Sequence, residues 1–186
     1  MTSRFRLALV PGLGTACLSL AAAGCSVEHT TNRCASDSMT LDGLVKCVRD
    51  MHAGTRSCAA AERGPTAVPV AGRRLLRYGE TTKHGGTSRG IVFEGARGAE
   101  VRAPVGGRVT YADPWRSYGD LLIIDSCTTV ALMAGAFSPE VIAGQSIAAG
   151  DAVATLRQTS SEAPVLYLEV REDDATVDPA GIIPAD

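Results

Sequence analysis

The chain has 186 residues, 45% hydrophobic and 20% charged, with 20 glycines and a formal net charge of −2. This composition predicts one globular domain with a small extra element and excludes a disordered chain. The acidic balance and the lack of any lysine or arginine run exclude electrostatic recruitment of nucleic acid.

The first predicted element is a targeting segment. Arg4 and Arg6 make a basic start, Leu7 to Ala23 is an apolar stretch, and Ala21-Ala22-Ala23-Gly24 leads into Cys25. Pro11 and Gly12 interrupt the stretch, which favours a cleaved signal over a permanent transmembrane helix. Ala-Ala-Gly-Cys resembles a bacterial lipobox, in which Cys25 receives the lipid, although Ala22 stands where leucine is usual. The alternative is a plain secretory signal cut after a small residue. Loss of residues 1–24 removes two arginines and no acids, which takes the net charge from −2 to −4. The expected organisation is a signal peptide of lipoprotein type over 1–24, a cysteine-containing helix and linker over 25–72, and a β domain over 73–184.

With Cys17 in the signal and Cys25 at its end, four cysteines remain: Cys34, Cys47, Cys58 and Cys127. Four allow three pairings, and export favours two disulfides over free thiols. The spacing leaves the pairing open. Without a CxxC pair, zinc-finger and thioredoxin-like chemistry are excluded.

Residues 39–53 are predicted to be a helix. Leu41, Leu44, Val45 and Val48 follow the i, i+3, i+4, i+7 pattern, Met51 extends the stripe, Thr40 is a candidate N-cap and Gly54 a stop. Residues 59–72 lack periodicity and read as a linker. Short strands follow: Leu75–Tyr78, Gly90–Phe93, Val101–Ala103, Arg108–Ala112, Leu121–Asp125, Val130–Ala134, Ala152–Leu156 and Val165–Arg171, separated by Gly, Pro, Asp and Ser clusters. The fold class is mainly β, a sandwich or barrel of short strands. No nucleotide loop, nucleophile elbow or heptad array is present.

Several pieces then recur in a recognisable order. They are Ser88 to Val92; Gly98 to Ala112, containing Ala103-Pro104-Val105-Gly106-Gly107; Ser117-Tyr118-Gly119-Asp120 running to Asp125; Leu132 to Gly135; Val141 to Asp151; Pro164 to Arg171; and Val177-Asp178-Pro179. From roughly residue 73 to 181 the chain resembles the LytM (lysostaphin-type) metallopeptidase domain. The resemblance implies an antiparallel β domain and places Ser88 and Val92 at the positions of an H-x-x-x-D pair. It places Val165 and Tyr167 at an H-x-H pair, and Gly135 at an assisting histidine. Catalytic zinc needs about three protein ligands and an open water position. These five residues offer at best a hydroxyl, so neither a metal nor a catalytic residue is expected, and no cofactor. Of the three histidines, His29, His52 and His84, only His84 falls in the domain. A substitute site from His84, Asp125 and Glu169 competes with a plain turn histidine.

Loss of every ligand resembles the EnvC-like murein hydrolase activators. That resemblance implies a non-enzymatic factor of the cell envelope, acting in cell division. Its partner would be a periplasmic N-acetylmuramoyl-L-alanine amidase, with peptidoglycan as a further contact and the outer membrane reached through a lipid anchor. The long coiled coil usual in those proteins is missing here.

Strand alternation sends Val165, Tyr167 and Glu169 to one face of their strand and Leu166, Leu168 and Val170 to the other. The second set reads as core. The first, with Val92 and Gly135, would line the former active-site groove, an apolar surface with one phenol and one carboxylate. Such a surface suits an amphipathic helix better than a sugar. Alternatively, Val165 and Tyr167 merely fill the place of a metal. The helix at 39–53 must bury its stripe and is expected to dock on the domain, pinned if Cys47 joins Cys127. Over the groove it would be a restraint released by a partner; elsewhere it would be a brace.

Four functions follow for comparison: a regulator of cell-wall hydrolases, a structural peptidoglycan-binding lipoprotein, an adaptor with a lipoyl-like hybrid barrel, and an enzyme. The run from Val141 to Asp151 supports the lipoyl-like reading, but no lysine follows Lys83 to be modified in a carrier, and a transport adaptor would need long flanking helices. The enzyme lacks its ligands.

Overall fold

A computed structural model describes residues 34, 40–53, 66–126, 128–157 and 162–184. The expected signal segment, the lipidation candidate Cys25, and the disulfide candidates Cys58 and Cys127 lie outside the described residues.

Helix α1 spans Leu41–His52. The Thr40 hydroxyl accepts the Gly43 amide at 3.1 Å, which satisfies one orphan donor at the N-terminus. Asp42 in the first turn and Arg49 in the last each interact favourably with the helix dipole. Strands follow as β1 (Gly72–Leu76), β2 (Ile91–Gly95), β3 (Glu100–Arg102), β4 (Gly107–Pro114), β5 (Asp120–Asp125), β6 (Thr129–Gly135), β7 (Phe137–Pro139), β8 (Ser146–Ile147), β9 (Ala152–Leu156), β10 (Val165–Glu172) and β11 (Ala175–Val177). Among the described residues they form a large sheet in the order β1-β2-β10-β6-β5-β4-β8, with β11 on β10, and a small sheet in the order β3-β9-β7. All the pairings are antiparallel.

The main core lies between the two sheets. Ile91 and Phe93 of β2, Leu166, Leu168 and Val170 of β10, Met133 of β6 and Leu122 and Ile124 of β5 meet Val101, Phe137, Val153 and Leu156 of the small sheet. The expected core role of Leu166, Leu168 and Val170 is met. The other face of the large sheet carries a second apolar cluster: Tyr111, Trp115, Leu121, Ile123, Val130, Leu132 and Ala134. Helix α1 closes this cluster with Leu44, Val45 and Val48, joined by Cys34. Because helix and small sheet cover opposite faces, every residue of β5 is buried, and the Leu121–Ile124 run needs no polar alternation. Each fully buried Leu or Val of the helix stripe contributes roughly 1.5–3 kcal/mol.

Three expectations are corrected. The first is the edge strand. It runs over Gly72–Leu76 rather than Leu75–Tyr78, because β1 pairs with Gly95 to Val92 of β2, with a bulge between Arg74 and Leu76, where the last pair is Leu76 with Val92. The second concerns residues read as linker. Val70 is buried in the core, and the Pro69 carbonyl accepts the Arg102 amide, so packing begins within that stretch. The third is the cysteine pairing. Cys47 is disulfide-bonded to Cys34, 13 positions upstream, and so is not joined to Cys127. Helix α1 is held on the sheet by its apolar face and by ion pairs instead.

Candidate functional site

The positions singled out by the sequence converge on β10 and its two neighbours. Tyr167 pairs with Val92 of β2 on one side and Ala134 of β6 on the other, Leu166 pairs with Gly135, and Val165 pairs with Glu94. Ser88 precedes β2 and is buried; its hydroxyl donates to the Gly90 carbonyl at 2.8 Å. That hydroxyl is therefore engaged in a local turn.

Two glycines set the shape of this region. Gly135 has φ 150°, and a Cβ there would stand 2.4 Å from the Val165 carbonyl oxygen. No side chain fits at this position without displacing β10, so a histidine is incompatible with the local backbone. A Cβ on Gly90 would lie 2.8 Å from the Tyr167 ring. The bare backbone lets that ring lie against the entry to β2.

The zinc implied by the resemblance does not fit these residues. Val92, Gly135, Val165 and Tyr167 supply no imidazole or carboxylate, and Ser88 is committed to a carbonyl. His84, Asp125 and Glu169 are not brought together. Among the described residues, no group of three or more His, Cys, Asp or Glu side chains could hold a metal ion.

What stands on this face instead is a chain of charges. Tyr167 donates its hydroxyl hydrogen to Glu169 Oε2 at 2.7 Å. Arg171 Nε donates to Glu169 Oε1 at 2.6 Å. Glu169 and Arg171 are only 2% and 3% exposed, so each depends on the other for solvation. Arg171 Nη2 then reaches Asp42 Oδ1 of α1 at 2.7 Å, and Arg89 Nη2 reaches the same oxygen at 3.1 Å. Two carboxylates and two guanidinium groups thus form a neutral quartet between helix and sheet. The hydrogen bond from Arg89 holds the Asp42 carboxyl below the usual carboxylate range, against the opposing effect of burial, with Arg171 adding to the lowering. Burial, then the neighbouring Glu169 carboxylate, pushes the Tyr167 phenol up, so it stays protonated and serves as a donor. At the far end of the helix, Arg49 pairs with Asp174 at 2.5 Å and approaches Asp125 at 3.9 Å. Asp174 sits in the two-residue turn of the β10–β11 hairpin, where Asp173 and Asp174 both have positive φ, as such tight turns require.

The helix therefore docks on the face that carries Tyr167, which is partly buried against it. Val165 remains 41% exposed beyond the helix, and Tyr118, 42% exposed, stands nearby in the β4–β5 connection. Gly119 brings that connection against Gly135: its Cβ would lie 2.6 Å from the Gly135 carbonyl oxygen. Trp115 and Tyr118 pack with ring centroids 5.4 Å apart. Glu169 is enclosed and neutralised, so the expected surface carboxylate is absent from the exposed face. Sequence reasoning missed Asp42, Arg89 and Arg171. Alternation along β10 already put Arg171 in phase with Tyr167 and Glu169, and two buried charges two residues apart are a signal for a pair. Asp42 carries no such signal, since its partners are 47 and 129 positions away.

The description of Peptidase family M23 matches residues 86–179. Murein hydrolase activator EnvC of Escherichia coli K12 is 31% identical over 121 residues, 64% of this chain and 29% of that protein. The Lipoprotein NlpD/LppB homolog of Pseudomonas aeruginosa is 30% identical over 123 residues, 65% of this chain and 40% of that protein. The chain thus spans less than half the length of these relatives. Among solved structures, Helicobacter pylori Csd3 superposes with a TM-score of 0.57 at 18% identity, covering 66% of this chain and 35% of that one. The catalytic domain of lysostaphin from Staphylococcus simulans gives 0.52 at 20% identity, covering 59% and 90%. These two likenesses are of fold. The sheet order, the ordered sequence pieces and the match over half of the chain make one assignment: the protein belongs to Peptidase family M23.

Proposed function

We propose that this protein is a non-catalytic LytM-domain factor of the cell envelope that activates or regulates a peptidoglycan amidase. It acts by protein–protein contact through the face around Val92, Val165, Tyr167 and Glu169. One observation carries the reading: the positions that hold zinc in a peptidase are occupied by groups that cannot ligate it, on a face already shaped to receive an amphipathic helix. The relatives named murein hydrolase activators support it. Relatives named as lipoproteins support lipidation at Cys25 and a place in the periplasm, anchored to the outer membrane. Helix α1 then acts as a cover on the working face, and the amidase engages that face when the cover lifts.

The test is dye release from labelled sacculi. The protein alone should release nothing, and with its cognate amidase it should raise the amidase rate. Release by the protein alone, abolished by chelator, would restore the hydrolase reading. Co-sedimentation with sacculi and no effect on any amidase would favour the structural peptidoglycan-binding lipoprotein.

A further inference from the structure

Helix α1 has twelve residues, a length that is marginal for an isolated helix in water. Its position on the sheet depends on tertiary contacts, and one covalent bond shapes the surface that makes them. That bond joins Cys47, on the helix, to Cys34, 13 positions upstream. Cys34 is fully buried in the same cluster as Leu44, Val45, Val48, Trp115, Leu121 and Leu132. The disulfide therefore does more than close a loop: it folds an upstream residue under the helix and makes it part of the apolar surface that meets the sheet. Cys34 is fully buried and Cys47 only partly, so the Cys47 side of the bond is the more open one.

We propose that the Cys34–Cys47 bond is a redox lock on the helix cover, an inference that rests on the Tyr167 face being the working surface. An exported dithiol reductant attacks Cys47 Sγ as its thiolate. The Cys34–Cys47 bond breaks, Cys34 leaves and takes up a proton, and a mixed disulfide with Cys47 forms. The second thiol of the reductant then attacks its own sulfur in that mixed disulfide, which frees Cys47 as a thiol. Two electrons pass to the protein, and the reductant ends as a disulfide. Without the bond, Cys34 is no longer held under the helix, the closed loop regains its freedom, and the uncovered population rises. A disulfide-bearing oxidant sets the lock by the reverse exchange: the two thiols give up two electrons and two protons, the Cys34–Cys47 bond forms, and the oxidant ends as a dithiol.

Trp115 is the single tryptophan of the chain and is 4% exposed within the covered cluster, so its fluorescence reports the cover directly. The experiment uses the full chain with Cys17, Cys25, Cys58 and Cys127 changed to serine, so that only the Cys34–Cys47 pair responds to dithiothreitol. The same measurements on the unsubstituted chain and on a Cys34→Ala/Cys47→Ala chain guard against a substitution that impairs folding. On reduction, acrylamide quenching of Trp115 should rise severalfold. Hydrogen exchange in residues 41–52 should accelerate by about a hundredfold, the scale of a loop constraint of this length. Exchange in β2, β6 and β10 backbones facing the small sheet should hold. Unchanged quenching and helix exchange on reduction would overturn the lock. So would cooperative unfolding of the whole domain, which would make the bond a structural staple. An amidase assay separates this inference from the reading beneath it. A chain uncovered by reduction that leaves the amidase unstimulated keeps the lock and removes the activator role. Stimulation that ignores redox state, with Trp115 unmoved, keeps the activator role and removes the lock.

Discussion

Tyr167 occupies one of the positions where the resemblance places a metal ligand, and its environment explains what a phenol does there. Its ring fills the space left by the bare backbone of Gly90, and its hydroxyl donates to Glu169. Tyr167→Ala removes both a donor and a half-buried ring while leaving the inter-sheet core untouched. The expected outcome is loss of amidase stimulation with a retained fold, measured by dye release and circular dichroism; full stimulation would reject a mechanism centred on this face. Glu169 tests a different point. Glu169→Ala leaves Arg171 buried with Asp42 as its remaining carboxylate, and breaking such a buried pair costs about 3–5 kcal/mol. A Glu169→Met/Arg171→Met chain should recover most of that loss, because no buried charge is stranded. Urea denaturation of the single and double variants measures the difference. A single variant as stable as the parent would show that the pair contributes nothing to the fold.

Helix α1 is positioned by an apolar stripe and by charges near both ends, and the charge at Asp42 gives it a pH dependence with a definite sign. A carboxyl lowered on docking contributes fully above its undocked value, near 3.8. It loses that contribution as the pH falls through the docked value. The cover should therefore be complete at neutral pH and loosen in the acid range below about pH 4. Trp115 quenching followed from neutral to acid pH should show this step. Asp42→Asn should remove it, which isolates Asp42 from Asp125, Asp174 and Glu169; an unaltered step in that variant would assign the transition elsewhere. At the same scale, the strands show which elements were legible. Leu121–Asp125, Val130–Ala134, Ala152–Leu156 and Val165–Arg171 were recognisable because each is a β-rich run bounded by turn residues. Of the strands of two or three residues, β3 was recognisable and β7, β8 and β11 were not, since so short a run carries almost no periodicity. Pro139 in β7 fits the edge of the small sheet, where a missing amide is tolerated.

For the whole molecule, the inventory was readable along the chain: a β-rich domain of ordered LytM-like pieces, no ligand at any expected metal position, and a helix with an apolar stripe and a Thr40 cap. These features are local, set by residue identity, alternation and turn chemistry, and so can be read along one chain. Where the stripe is buried was settled by the packing of the whole fold. Periodicity says that a helix has a face to hide, but not which of several apolar surfaces hides it. The continuous apolar runs in β5 and β6 required cover on both sides, and the small sheet supplies it on one side only. The helix takes the other, which is the face of Tyr167, because Asp42 finds Arg89 and Arg171 there and Arg49 finds Asp174. The pairing of Cys34 with Cys47 belongs to the same class of fact: three pairings were open in the sequence, and the geometry of the docked helix selected the bond.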